Sequence, residues 1–246
     1  MATYYDAQIF GAGVNTVGRT IIQGSGVIGG TRGVFVKLQG SGKRGLVFPT
    51  TGGLLANPFP TGGKFYAGDL CEYNPNIGTD TGATVKVLKK YEVADSVSAD
   101  TTVNIVRNGF RHIPNVGDIL TVSPDSVSDT GTPTTVTAVS KTTNDSGIQV
   151  WQLTVDTAIT ADAGAILVEC DSDGNLIVTN PNSYIHSDMD CKYTPASGDD
   201  DYEGARYMIA PALANEDTVL YLSKIAPMPD CYLALNESKV DGWFHL

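Results

Sequence analysis

Residues 85–122 constrain the fold more than any other stretch, because apolar residues recur there at alternate or near-alternate positions between turn residues. The apolar positions are Val85, Val87, Tyr91, Val93, Val103, Ile105, Val106, Ile119, Leu120 and Val122. Before the last run, Pro114–Asp118 is predicted to reverse the chain, with Gly117 adopting the positive φ that other residues resist. Period-two patterning with β-branched residues predicts half-buried antiparallel strands. The stretch therefore predicts strand, turn, strand, turn, strand, with no catalytic constellation around it.

The same patterning continues to about residue 173 and predicts an all-β chain. Apolar positions alternate again over Ile148–Val155, after a polar turn at Lys141–Gly147. A run of hairpins of this kind is typical of an antiparallel β-sandwich or a small barrel. We assign residues 67–173 to this body and residues 174–246 to a C-terminal β-rich region that packs on it. The chain contains two similar tripeptides, Gly68-Asp69-Leu70 and Gly117-Asp118-Ile119. Each predicts a Gly-Asp turn directly before a strand.

Residues 1–66 differ from the rest because glycines interrupt every short apolar piece. Pieces such as Thr20–Ile22 and Leu46–Phe48 are too short to be stable alone. They are expected to pair with a neighbour, either another chain or another part of this one. The high glycine content opposes a helix. The segment is therefore predicted to be an extended arm that orders on a partner.

Charge divides the chain in the same place. Residues 1–66 carry six Lys or Arg and one Asp, a net charge of +5, whereas residues 67–246 carry ten Lys or Arg and 26 Asp or Glu, a net charge of −16. The positive charges of the arm are sparse and lie between glycines, which does not favour nucleic-acid binding. An acidic protein surface is the better partner. The residues predicted to contact it are Arg19, Arg32, Lys37, Lys43 and Arg44.

The sequence contains no motif that indicates an enzyme, a cofactor or a membrane. No apolar run reaches 18 residues, and the N-terminus has no signal-peptide pattern, which predicts folding in a cytoplasm. Glycine-rich words such as GAGVNTVG do not lie between a strand and a helix, and no GxSxG is present. Catalytic residues, cofactors and a dedicated metal site are therefore predicted to be absent. The four cysteines are far apart and are predicted to be buried thiols.

Three further sets of residues are weaker candidates for a functional site. A purely structural role is the default interpretation of each. A composite metal site would need the distant His112, His186 and His245. The acidic runs at 171–175 and 199–203 offer oxygen ligands for calcium, but the first lacks the distal Glu of an EF-hand loop. Stacking on glycans would use tyrosines in loop-like surroundings, namely Tyr184, Tyr193, Tyr202 and Tyr207.

Several sequence motifs together resemble those of the head fibre proteins of tailed bacteriophages. The resemblance is nearest to the head fibre proteins of the crAss-like phages of Bacteroidales. The motifs are AGDLCEYNP, VKVLKKYEVA, NGFRHIPNVGDILTV and the pair TTVTAVSKTTNDSG and WQLTV, which cover about residues 67–170. The resemblance implies a homotrimer on the outer capsid, anchored through its N-terminal segment to the major capsid protein or another shell protein. It carries no catalytic signature. No heptad repeat is present, so a coiled-coil shaft is not expected.

The resulting prediction is a virion structural protein without enzymatic activity, assembled in the host cytoplasm and located on the capsid surface. Two alternatives remain open. The first is a module that binds host-surface glycans, which is compatible with capsid attachment. The second is a polysaccharide-degrading enzyme, which would need carboxylates that converge in a cleft.

Overall fold

The structure is a computed structural model that describes residues 20–22, 46–48, 53–57, 59, 63–75, 83–108, 111–186, 188–190, 208–209, 212–213, 220–222, 225–239 and 244–245. Those residues form eighteen strands and one helix. The strands are β1 Thr20–Ile22, β2 Leu46–Phe48, β3 Gly53–Leu55, β4 Lys64–Phe65, β5 Leu70–Asn74, β6 Thr84–Val87, β7 Lys90–Glu92, β8 Val97–Val106, β9 Ile119–Val122, β10 Thr134–Thr143, β11 Gln149–Ala161, β12 Ile166–Glu169, β13 Ser183–Tyr184, β14 Met189–Asp190, β15 Met208–Ile209, β16 Ala212–Leu213, β17 Leu220–Tyr221 and β18 Phe244–His245. The helix is α1, Asp230–Lys239. The predicted all-β fold is confirmed.

The chain forms two compact units. The first comprises residues 1–87, 180–225 and 235–246, and the second comprises residues 88–179 and 226–234. The predicted boundaries after residues 66 and 173 stay predictions.

The first unit contains an eight-stranded sheet in the order β1-β2-β16-β13-β5-β6-β3-β15. All its pairs are antiparallel except β3 with β6, which run parallel. Its core contains a ring pair, Phe59 and Phe65, whose centroids lie 4.6 Å apart. The glycine-interrupted pieces in β1, β2 and β3 pair with strands of the same chain, for example Thr20 with Phe48. The sequence left open whether these pieces pair with another chain or with their own. In the described residues, β1, β2 and β3 pair with strands of their own chain.

The second unit is a closed antiparallel barrel. Its strand order is β7-β12-β9-β10-β11-β8. An antiparallel bridge between Val93 and Ile105 joins the end of β7 to β8, and the Ala94 N–H donates to the Asn104 carbonyl at 2.8 Å. The bridge joins the first and last strands of this order, so the sheet closes on itself at Val93 and Ile105. The sequence predicted a sandwich or a small barrel, and the barrel is the form observed here.

The barrel interior is filled by alternate residues of its strands, as period-two patterning requires. The buried members are Tyr91, Val93, Val103, Ile105, Leu120, Val136, Leu153, Val155, Ile159, Ala161 and Leu167. Gly117 has a φ of +93°, as predicted for the reversal before β9. The apolar alternation read at residues 85–122 therefore serves two sheets, since Val85 and Val87 belong to the first unit.

Helix α1 departs from the β-rich C-terminal region that the sequence predicted. It begins at Asp230, directly after Pro229. The negative charge of Asp230 interacts favourably with the positive end of the helix dipole. Tyr232 and Cys231 at its start are buried, and the Tyr232 hydroxyl donates to the Val178 carbonyl at 2.6 Å. Five of its ten residues, two Leu, one Ala, one Glu and one Lys, are good helix formers, which favours a helix in this segment.

Candidate functional site

A cluster of charged side chains lies inside the barrel, where an apolar layer would be expected. Lys89 precedes β7, Asp118 precedes β9 and Glu169 ends β12. Strand β12 pairs with both β7 and β9, so the three positions lie on consecutive strands. Side chains two residues apart point to the same face of a strand. Each of the three charged residues lies two positions from an inward-facing residue, namely Tyr91, Leu120 or Leu167. Each therefore faces the barrel interior as well.

The lysine contacts both carboxylates directly. The Lys89 Nζ lies 2.8 Å from the Asp118 Oδ1 and 2.8 Å from the Glu169 Oε1. The second oxygen of Asp118, Oδ2, accepts a hydrogen bond from the Tyr91 hydroxyl at 3.0 Å and from the Asn115 N–H at 2.9 Å. Both oxygens of this carboxylate are thus held by hydrogen-bond donors.

Burial and charge act in opposite directions on this lysine. Removal from water is the largest single influence and disfavours the ammonium, but the charges of Glu169 and Asp118 outweigh it and raise the pKa of Lys89. Burial, followed by the charge of Asp118, raises the pKa of Tyr91 well above its ordinary value. Tyr91 therefore stays a neutral donor to Asp118.

Because the cluster is buried, its groups can react only with other groups of the protein. The side chains of Lys89, Asp118 and Glu169 are 0%, 1% and 8% exposed. Lys89 is an ammonium in this cluster and becomes nucleophilic only after it transfers a proton to one of the two carboxylates. A substrate from solution has no access to it, so the cluster is unsuited to turnover.

Trp151 on β11 lies between two cations and is half-buried, packed against the hydrophobic core of the barrel. Trp151 lies opposite Lys141 on β10, and the Arg107 guanidinium and the Lys141 Nζ lie 5.2 Å and 5.0 Å from its ring centroid. The unit has five Lys or Arg against thirteen Asp or Glu. Its other cations are accounted for, since Lys89 and Lys90 are buried and Arg111 pairs with Glu92 at 2.6 Å. The available positive charge of the unit is therefore concentrated at Trp151.

A polar cleft of about 560 Å³ opens beside the loop between β9 and β10. Its walls include Asp125 and Asp129, and the methyl-bearing Val122 and Ile159. Six threonines also line it, namely Thr121, Thr130, Thr132, Thr134, Thr157 and Thr160. Hydroxyl and carboxylate groups beside small apolar patches match the surface of a sugar, which has hydroxyls and a C–H face.

The structure bears on only part of the predicted site residues. Arg19, Arg32, Lys37, Lys43 and Arg44 all lie outside the described residues, as do Tyr193, Tyr202, Tyr207 and residues 199–203. The suggestion that Tyr184 stacks on glycans is wrong, because Tyr184 lies in β13 and its exposure is 0%.

Metal and thiol chemistry find no support among the residues that the structure describes. Within them, no group of three or more His, Cys, Asp or Glu is placed to hold a metal ion. The run at 171–175 forms a turn in which Asp171 Oδ1 accepts the N–H groups of Asp173 and Asn175, both at 2.9 Å. The predicted buried thiols are confirmed for Cys71, Cys170 and Cys231.

Sequence reasoning missed Lys89 and Glu169, although one signal was present. Val85, Val87, Tyr91 and Val93 are odd-numbered apolar positions, and Lys89 occupies the gap in that series. A lysine at an inward position requires a buried anion, because an unpaired buried charge is unfavourable.

Three comparisons with known proteins returned no match to a family model, a curated protein or a solved structure. In the described part of the chain, no helix has both the length and the apolar character needed to cross a membrane.

Proposed function

We propose that this chain is a virion structural protein, a head fibre that decorates the outside of a phage capsid. The observation that carries the proposal is the segregation of charge, +5 over residues 1–66 and −16 over residues 67–246. Opposite charge on the two parts suits a molecule whose basic end docks on an acidic shell while its acidic body stays in solvent. The resemblance over residues 67–170 supports the same function.

The β-structure is compatible with a display role. The sheet closes on itself at the bridge between Val93 and Ile105, which shortens the edge open to unwanted strand pairing, and the interior cluster is buried away from substrates. The mechanism is binding without turnover. The partners are the major capsid protein or another shell protein, and two further copies of the same chain in a homotrimer. Light scattering on the purified chain tests the trimer, which should have three times the 25.9 kDa mass of one chain.

The test of attachment is charge reversal in the full-length chain. Replacement of Arg19, Arg32, Lys37, Lys43 and Arg44 by Glu should abolish incorporation into capsids assembled without the protein. Truncation is less informative, because residues 1–66 include β1, β2 and β3 of the first unit's sheet.

Arg107→Glu with Lys141→Glu, on the barrel, serves as the control and should leave incorporation unchanged. Circular dichroism should report the same β-content for both variants and the parent. Normal incorporation of the five-residue variant would contradict the electrostatic attachment.

A second candidate function is glycan binding by the displayed barrel. Trp151 with its two cations and the threonine-lined cleft are the features that favour it, and the cations favour an acidic sugar. The full-length chain on a glycan array should bind uronic or sialic acid glycans, and Arg107→Gln with Lys141→Gln should remove that signal. A polysaccharide-degrading enzyme is a weaker alternative, which an assay for new reducing ends on host polysaccharide would detect.

A further inference from the structure

The buried cluster in the barrel has the composition of a self-condensing site. It places a lysine nitrogen in contact with two carboxyl groups within a protein interior. Lys89 Nζ is 2.8 Å from Asp118 Oδ1 and 2.8 Å from Glu169 Oε1, and all three residues are buried. Reacting groups held at hydrogen-bond distance have a large effective concentration.

We propose that Lys89 and Asp118 condense to an intramolecular isopeptide bond between Nζ and Cγ, with Glu169 transferring the protons. The reaction joins an ammonium and a carboxylate and releases one water molecule. It needs no oxidant, reductant or co-reactant. The product is an amide that links the start of β7 to the start of β9.

The first two proton transfers follow the observed contacts of Lys89 Nζ with Asp118 Oδ1 and Glu169 Oε1. The Lys89 ammonium first gives a proton to Asp118 Oδ1, which leaves a neutral amine and a carboxylic acid. This transfer is an unfavourable pre-equilibrium, because the two carboxylates favour the charged lysine. The amine attacks Cγ, and Glu169 takes the proton that the new C–N bond makes acidic. Glu169 then returns that proton to the Oδ1 hydroxyl, which leaves as water as the C=O double bond re-forms. Glu169 ends as it began, in the role of general base and then general acid.

The other oxygen of Asp118 is already held as the reaction requires. Negative charge develops on Oδ2 when the amine adds to Cγ. The Tyr91 hydroxyl at 3.0 Å and the Asn115 N–H at 2.9 Å both donate to that oxygen. Two fixed donors on the developing oxyanion are the usual device for stabilising a tetrahedral intermediate. Tyr91 is therefore assigned to this role and Asn115 contributes through its backbone.

The surroundings favour the condensed product over the separated ions. An ion pair in a protein interior carries a large desolvation penalty, and the penalty for a neutral amide is smaller. Loss of water from a closed interior opposes the reverse hydrolysis. Strand β12, which carries Glu169, lies between β7 and β9. The bond thus joins two strands that have no direct pairing in the barrel.

Intact-mass spectrometry on the full-length chain is the test. The folded protein should weigh less than its sequence by the mass of one water. Trypsin should leave peptide 87–90 joined to peptide 112–141, because a lysine in amide linkage is not cleaved. A chain at its full mass after prolonged incubation in native buffer, with peptide 112–141 released alone, would overturn the proposal.

Two variants separate the bond from other sources of water loss. Glu169→Gln keeps the size of the side chain and removes the base, so bond formation should slow roughly a hundredfold. Tyr91→Phe removes one donor to Oδ2 and should slow it by about the same factor.

Asp173–Gly174 could also lose water, by forming a succinimide. That product would persist in both variants and would leave no joined peptides. Loss of water that survives Glu169→Gln in a folded chain, with no branched peptide, would therefore count against the Lys89–Asp118 bond.

Discussion

Asp69 and Asp118 close matching turns, one in each compact unit. The Asp69 Oδ2 accepts the Tyr66 N–H at 2.6 Å, and the Asp118 Oδ2 accepts the Asn115 N–H at 2.9 Å. In return each Asp N–H donates to the carbonyl of the same partner, at 2.9 Å and 3.2 Å. The glycine before each Asp has a positive φ, +88° at Gly68 and +93° at Gly117.

The two turns show how one short word can specify local structure in different settings. In both, glycine permits the turn, the carboxylate satisfies a backbone N–H, and a strand begins at the next residue. In the barrel the carboxylate has a second use, because its other oxygen contacts Lys89.

Glycines with positive φ should differ in their tolerance of a side chain according to the space around them. Gly117→Ala should lower the free energy of unfolding by about 1–2 kcal/mol, because the left-handed backbone is unfavourable for alanine. A Cβ there would meet no atom within 4 Å. Gly174→Ala should lower it by about 2–5 kcal/mol, because strain adds to overpacking. A Cβ at Gly174 would collide with the backbone of Gly131.

Urea denaturation of both variants and the parent measures this difference. Gly164→Ala is the matched control, since Gly164 has a φ of +88° and open space around its Cβ position. It should behave like Gly117→Ala. Equal losses at all three positions would mean that the close approach of residues 131 and 174 is not rigid.

Removal of the buried cation should destabilise the barrel strongly. Lys89→Met keeps the length of the side chain and leaves Asp118 and Glu169 buried without a cation. We expect a loss of about 3–5 kcal/mol, whether Lys89 is held by charge or by a covalent bond. The remaining carboxyl groups should have pKa values above those of the unfolded chain, because burial and mutual repulsion disfavour their ionisation.

That shift sets the sign of a pH effect in the Lys89→Met variant. A group whose pKa is raised by folding contributes stability at low pH that is lost as pH rises through the folded-state pKa. The deficit relative to the parent should therefore grow from about pH 4 to pH 7. Urea midpoints at several pH values measure it. A deficit that does not change with pH would show that folding does not raise the pKa values of these two carboxyl groups in the variant.

Much of the fold follows from residue patterns, and the part that does not is instructive. Alternation correctly indicated β-strands at Val103–Val106 and Ile119–Val122. It did not show that Val85 and Val87 belong to a different sheet from Val103, because period two fixes a face and not a partner strand. Closure of the barrel depends on the bridge between Val93 and Ile105, which are not neighbours in any local pattern.

The candidate sites were harder to predict for the same reason. Trp151 and Lys141 lie on β11 and β10, Arg107 directly follows β8, and the three meet only through cross-strand register. Lys89 and Glu169 are 80 positions apart in the sequence, and the sequence places each as a single charge near an apolar run. A charge at an inward position is visible in sequence, but its counter-ion becomes identifiable only when the strand order is known.

Acid should destabilise the first unit through His186, which is largely buried within it. Burial lowers the pKa of His186 from 6.5 to about 4. Since the folded-state pKa lies below the unfolded value, the stabilising contribution is complete above about pH 6.5 and is lost as pH falls toward 4. The shift corresponds to a loss on the order of 2–3 kcal/mol across that range. Carboxylates also titrate near the lower end, so the parent curve alone does not isolate the histidine.

His186→Gln isolates it, because glutamine is polar and does not titrate. The free energy of unfolding of the variant should fall less steeply than that of the parent between about pH 6.5 and pH 4.5. Direct titration of the His186 ring protons by NMR should give a midpoint well below that of a histidine in the unfolded chain. Parallel curves for parent and variant would mean that His186 binds its proton without opening the surrounding structure, and its burial would then not control the acid response.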